Sequence, residues 1–107
     1  MQTAYGVLEY RQHDVMSASP VQLVIMAYDQ AIKACHQQDK ERATKAVSAL
    51  RDALNFDYDE VSNGLFSLYQ WCLDCIRSGE FEPALTTLSE LREAWAVVQQ
   101  QEASFSS

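Results

Sequence analysis

From residue 20 onward, apolar side chains return every three or four positions and polar ones fill the gaps. That period belongs to α-helices with one buried stripe rather than to strands. Four such stretches follow one another. The first is expected from about Pro20 to Gln37, with Val21, Val24, Ile25, Tyr28, Ala31, Ile32 and Cys35 on its stripe. The second, about Lys40 to Phe56, aligns Ala43, Ala46, Val47, Leu50, Ala53 and Leu54. The third, about Tyr58 to Arg77, aligns Val61, Leu65, Leu68, Tyr69, Cys72, Cys75 and Ile76, with Phe66 and Leu73 beside them. The fourth, about Phe81 to Gln101, stacks Phe81, Ala84, Leu85, Leu88, Leu91, Trp95 and Val98.

Local signals punctuate these stretches. Ser19, followed by Pro20 and by Gln22 three positions on, has the form of a capping box with proline at the first helical position. Asp39 offers the second N-cap, Asp57 with Glu60 the third, and Gly79 can take the left-handed conformation that ends a helix. Turns this short make consecutive helices antiparallel. The predicted fold is therefore all-α, an up-down-up-down four-helix bundle over residues 19–102. Before it lies an N-terminal arm, residues 1–18, of weak periodicity with room for a short helix near Val7 to Gln12. Residues 103–107 read as a frayed tail.

Composition narrows the class. A chain of 107 residues that is 48% apolar forms one domain with a core of its own. Eight basic residues against fifteen acidic ones give a net charge of −7. Nonspecific nucleic-acid binding needs the opposite surplus, and an anionic membrane would repel such a chain. The longest apolar run, Leu23 to Tyr28, is too short for a membrane span, and no secretory signal precedes it. An odd count of three cysteines then suggests reduced thiols and a cytoplasmic location.

Little in the chain points to catalysis. Cys72 and Cys75 form a C-x-x-C, but on the buried face late in a helix, and a zinc site would need Cys35 and His36 to close on them. His36 is followed by Gln37, Gln38 and Asp39, an acidic setting that does not suit a phosphate acceptor. His13 has no evident partner, and no Glu-x-x-His pair exists for iron. Asp57, Asp59 and Glu60 fit helix-start electrostatics better than a calcium loop. Nothing pairs a nucleophile with a base, so an enzyme is disfavoured and no cofactor is implied.

What is left over is apolar surface. Leu23, Met26 and Ala27 on the first helix, Ala49 and Phe56 on the second, and Phe66, Trp71 and Leu73 on the third fall outside the simplest core stripes. Small bundles expose scattered apolar residues without consequence. Methionine and aromatic groups with little charge around them equally suit a groove for an amphipathic helix. The pattern alone favours neither.

Four segments in order carry a family likeness. Ala18-Ser19-Pro20, Leu23, Met26 and Tyr28-Asp29 form the first; Tyr5-Gly6-Val7 and Tyr10 precede it. Leu65, Leu68-Tyr69 and Trp71 follow, then Leu91-Arg92-Glu93-Ala94-Trp95. Together, over roughly residues 5–98, they resemble the flagellar secretion chaperone family, FliS. The chain departs from that pattern at Ala27, Gln30 and Gly64, and in a short first connection. The resemblance implies a bacterial cytosolic chaperone that holds the C-terminal segment of flagellin in apolar grooves, prevents premature polymerisation and presents it to a component of the flagellar export gate. It implies no nucleotide or metal. The partner-binding residues it nominates are Tyr10, Leu23, Met26, Ala27, Phe56, Phe66, Tyr69 and Leu73. The arm would cap part of a groove until client displaces it, and self-association stays open. A four-helix adaptor for another helical partner, or a phosphotransfer or metal-binding bundle, remain as alternatives.

Overall fold

The computed structural model describes residues 19–106, with side chains through Gln101; the expectations for the arm, Tyr10 included, lie outside the described residues. Four helices follow: α1 (Pro20–His36), α2 (Lys40–Asp52), α3 (Asp59–Arg77) and α4 (Phe81–Ser106). Helix α1 packs against α2 and α4, and α3 packs against the same two, which closes the four into the antiparallel bundle that the periodicity predicts.

Local chemistry fixes most helix ends. Ser19 Oγ accepts from the Gln22 amide at 3.2 Å while Gln22 Oε1 accepts from the Ser19 amide at 2.9 Å, a complete capping box. Asp39 Oδ1 accepts from the Arg42 amide at 3.1 Å and starts α2. Helices α1 and α3 both end in Schellman turns. The amides of Gln38 and Asp39 donate to the carbonyls of Cys35 and Ala34, and those of Gly79 and Glu80 to Ile76 and Cys75. The left-handed residue is Gly79 in one turn, at φ 81°, and Gln38 in the other, at φ 55°.

Helix α2 stops four residues short of the expected Phe56. Asn55 Oδ1 accepts from the Asp57 amide at 3.0 Å, a local turn that competes with the helical ladder. Helix α3 then starts at Asp59 with Tyr58 at its N-cap and no side-chain bond there, so the expected Asp57–Glu60 capping pair does not form. Asp59 and Glu60 instead sit in the first turn, where their charges favour the positive end of the helix. Helix α4 runs on past Gln101 to Ser106 and takes in most of the segment read as a tail.

The core is built from Tyr28, Ala31, Cys35, Ala43, Val47, Leu50, Tyr69, Cys72, Ile76, Ala84 and Leu88. Two corrections to the stripes matter. Ala34, which the predicted stripe of α1 leaves out, is buried; a methyl side chain lets neighbouring helices come close. Helix α3 is turned so that Ser62 is buried, while Val61 is 65% exposed and Leu68 is also exposed. The Ser62 hydroxyl donates to the Asn55 carbonyl, which satisfies that buried polar group and sets the orientation of the helix start. Ala53 and Val98, expected in the core, are exposed as well.

Candidate functional site: the apolar end of the bundle

The two ends of the bundle differ. At one, two tight turns join α1 to α2 and α3 to α4, and small residues (Ala31, Ala34, Cys35, Ala43, Cys72, Ala84) pack with Ile76 and Leu88 in the interior. Small side chains bring helix axes together and leave little apolar surface outside. At the other end lie the start of α1, the longer connection after Asp52, the start of α3 and the later turns of α4. Among the described residues, the exposed large hydrophobics gather toward this second end: Leu23, Phe56, Tyr58, Val61, Phe66, Leu68, Val97 and Val98, with Trp71 just past the middle of α3.

Helix geometry sorts this surface into strips. Asp29 faces α4, because the Arg92 guanidinium donates to its carboxylate through Nε at 2.6 Å and Nη2 at 3.3 Å. At about 100° per residue, Leu23 and Ala27 therefore turn toward α2. Leu23 is exposed, while Met26 and Ala27 are half-buried. Phe66 and Leu73 lie on the side of α3 that faces α2; the Phe66 ring meets Phe56 edge-on, with centroids 6.2 Å apart. Phe56 is 47% exposed and Phe66 38%, so the pair stays open to solvent, whereas Leu73 is half-buried against the core. The nominated residues thus form two groups with α2 between them.

Tyr69 belongs to neither. It is 1% exposed, on the core stripe with Cys72 and Ile76, and its hydroxyl hydrogen-bonds that of Tyr28 at the centre of the bundle. As a contact residue it is corrected: it supports the surface from behind. A third strip was missed. Val61, Leu68 and Trp71 occupy the flank of α3 toward α4, and Val98 lies on α4. The signal for it was present in the width of apolar positions on α3, which exceeds what one buried stripe can absorb.

The titratable groups of the interior are held neutral. Burial raises the Tyr28 and Tyr69 phenols above their ordinary range, and it pushes the Cys72 thiol up to about 12. Cys35 and Cys75 are raised for the same reason. Thiols that stay protonated at neutral pH are poor nucleophiles and poor ligands. Among the described residues, no group of three His, Cys, Asp or Glu side chains is placed to hold a metal, and no helix is long and apolar enough to cross a membrane. His36 is exposed in the last turn of α1.

A closed bundle whose unspent apolar surface is gathered at one end has the form of a helical binding protein. A family model described as Flagellar protein FliS matches residues 1–102, and the chain belongs to that family of flagellar chaperones. The Asp29–Arg92 pair joins two of the segments that carry the likeness, one on α1 and one on α4. No curated protein and no solved structure matches the chain.

Proposed function

We propose that this chain is a bacterial cytosolic export chaperone for flagellin. It holds the C-terminal segment of flagellin on the apolar end, keeps that segment from pairing with other flagellin chains, and delivers the complex to the export gate. The observation that carries this reading is the gathering of Leu23, Phe56, Val61, Phe66 and Leu68 on one end of a bundle whose other end is closed. A segment unstructured in solution exchanges water for these strips as it becomes helical, and the ordering of its backbone opposes the gain. No nucleotide or metal enters this scheme. The arm of residues 1–18 acts as a cap that client displaces; deleting residues 1–16 should then change client affinity, and an unchanged affinity with unchanged stability would remove the cap.

Calorimetric titration of the full chain with a flagellin C-terminal peptide of the same organism tests the assignment. One-to-one binding with a negative heat-capacity change is expected when a client folds on an apolar surface. Absence of binding by a folded bundle would leave a helical adaptor for another partner.

A further inference from the structure

The flank of α3 toward α4 combines an apolar strip with an unbalanced charge. Residues 19–54 carry five basic and four acidic side chains, whereas residues 55–101 carry two basic and eight acidic ones. The second half of the bundle therefore holds a net charge of −6, and the first half +1. Both arginines of the acidic half are engaged, Arg77 by Asp74 at 2.8 Å and Arg92 by Asp29 of α1 at 2.6 Å. Among the described residues, the seven acids that remain in this half, Glu60 and Glu90 included, enter no ion pair.

Inside that acidic half, Val61 to Leu73 on α3 and Ala94 to Gln101 on α4 carry no charged side chain. Val61, Leu68 and Trp71 are exposed on this flank, Trp71 by 44%, and Val98 is exposed on α4. Tryptophan is highly buried on average, and where it stays open it is a frequent anchor of interfaces. At about 100° per residue, Glu60, Gly64, Ser67 and Trp71 fall on one line of α3, and Glu90 and Ala94 on one line of α4. A Cβ at Gly64 would meet nothing within 4 Å, so the line has an open saddle where another chain can approach the backbone.

We infer that this flank docks an arginine-bearing apolar segment of a partner protein, distinct from the client strips on either side of α2. An apolar side chain of the partner lies over Gly64 against Val61 and Leu68. A guanidinium stacks on Trp71, and further basic groups meet Glu60 and Glu90. Charge decides the occupant. A half-bundle of net charge −6 repels nucleic acid, anionic lipid and a second copy of itself, and attracts a cationic segment. No client enters the argument, so the inference stands or falls apart from the flagellin assignment.

The test uses two peptides with the same leucine stripe, flanked by Arg in one and by Glu in the other, titrated into the isotopically labelled full chain. The Arg peptide should bind about tenfold more tightly at low salt, because several exposed ion pairs of a few-fold each add together. High salt should erase the difference. The Arg peptide should shift the indole N–H of Trp71 and the amides of Gly64 and Leu68, and leave Trp95 and α2 unmoved. Trp71→Ala should weaken it about tenfold. Glu90→Gln should weaken it a few-fold, whereas Glu41→Gln on α2 should leave it unchanged. Gly64→Lys places a helix-favouring cation in open space, so it should raise the melting temperature while lowering the affinity about tenfold. Equal affinities for the two peptides, or shifts centred on α1 or α2, would overturn the inference. So would equal losses from Glu41→Gln and Glu90→Gln, or a folded Gly64→Lys chain that binds the Arg peptide as tightly as its parent.

Discussion

The end with the two Schellman turns and the end around Phe56 are made from helices of the same periodicity, yet they do different things. At the first, Ala34, Ala43, Cys72 and Ala84 let the helices approach until almost nothing apolar is left outside. At the second, side chains are larger, the connection is longer, and aromatic and branched residues remain in water. Side-chain size and turn length, rather than hydrophobic content, decide which end becomes core and which becomes surface. On the proposed reading a chaperone uses both. The closed end keeps the bundle folded while empty, and the open end offers apolar area to a client at little cost to the fold.

The sharpest way to break this comparison is to cut the same kind of contact at each end. Ile76→Ala removes a side chain with no exposure and should cost about 3–4 kcal/mol in denaturant unfolding. Phe66→Ala, already open to solvent, should cost about 1 kcal/mol or less. Equal costs would mean that the apolar end is ordinary core.

Alkaline unfolding probes the closed end next. The unfolded Cys72 thiol ionises near its ordinary value of 9, whereas the folded one waits until about 12. Above the lower value the unfolded chain holds fewer protons, so stability falls with rising pH. The Cys72 contribution should therefore be constant below about pH 9, and melting temperature should fall between about pH 9 and 12, with Tyr28 and Tyr69 adding to the loss at the upper end. A Cys72→Ala variant should show a shallower fall.

Two smaller effects sharpen the contrast. Phe66→Glu or Met26→Glu should weaken client binding about tenfold or more while lowering the melting temperature by only a few degrees. Large unfolding with no separate loss of binding would place these positions in the core. Gln38→Gly relieves a non-glycine residue from a left-handed turn and should stabilise the bundle by about 1 kcal/mol, read as a rise of a few degrees.

How far the sequence led depended on the range of the interaction. Ser19, Gln22, Asp39 and Gly79 act within a few residues, and the helix ends they mark are where the sequence places them. The end of α2 and the rotation of α3 depend on Asn55, whose side chain bonds one neighbour and whose carbonyl receives Ser62 seven residues on. Periodicity alone cannot anticipate that second bond. The surface followed the same rule. Leu23, Phe56 and Phe66 are solvent-accessible; Tyr69, nominated for binding, is buried on the core stripe where the periodicity also places it, and Val61 and Leu68, of the same stripe, are left outside by the turn of α3. A helical wheel gives an angle, and the tertiary neighbour decides what that angle faces.

Backbone amide hydrogen exchange, with and without the flagellin C-terminal segment, tests most directly whether the apolar end receives the client. Added protection or shifted exchange should concentrate in the first turns of α1, in residues 54–71 and in the later turns of α4. Change confined to the turns at residues 36–40 and 77–81, with the other end untouched, would contradict a client-binding role for the apolar end.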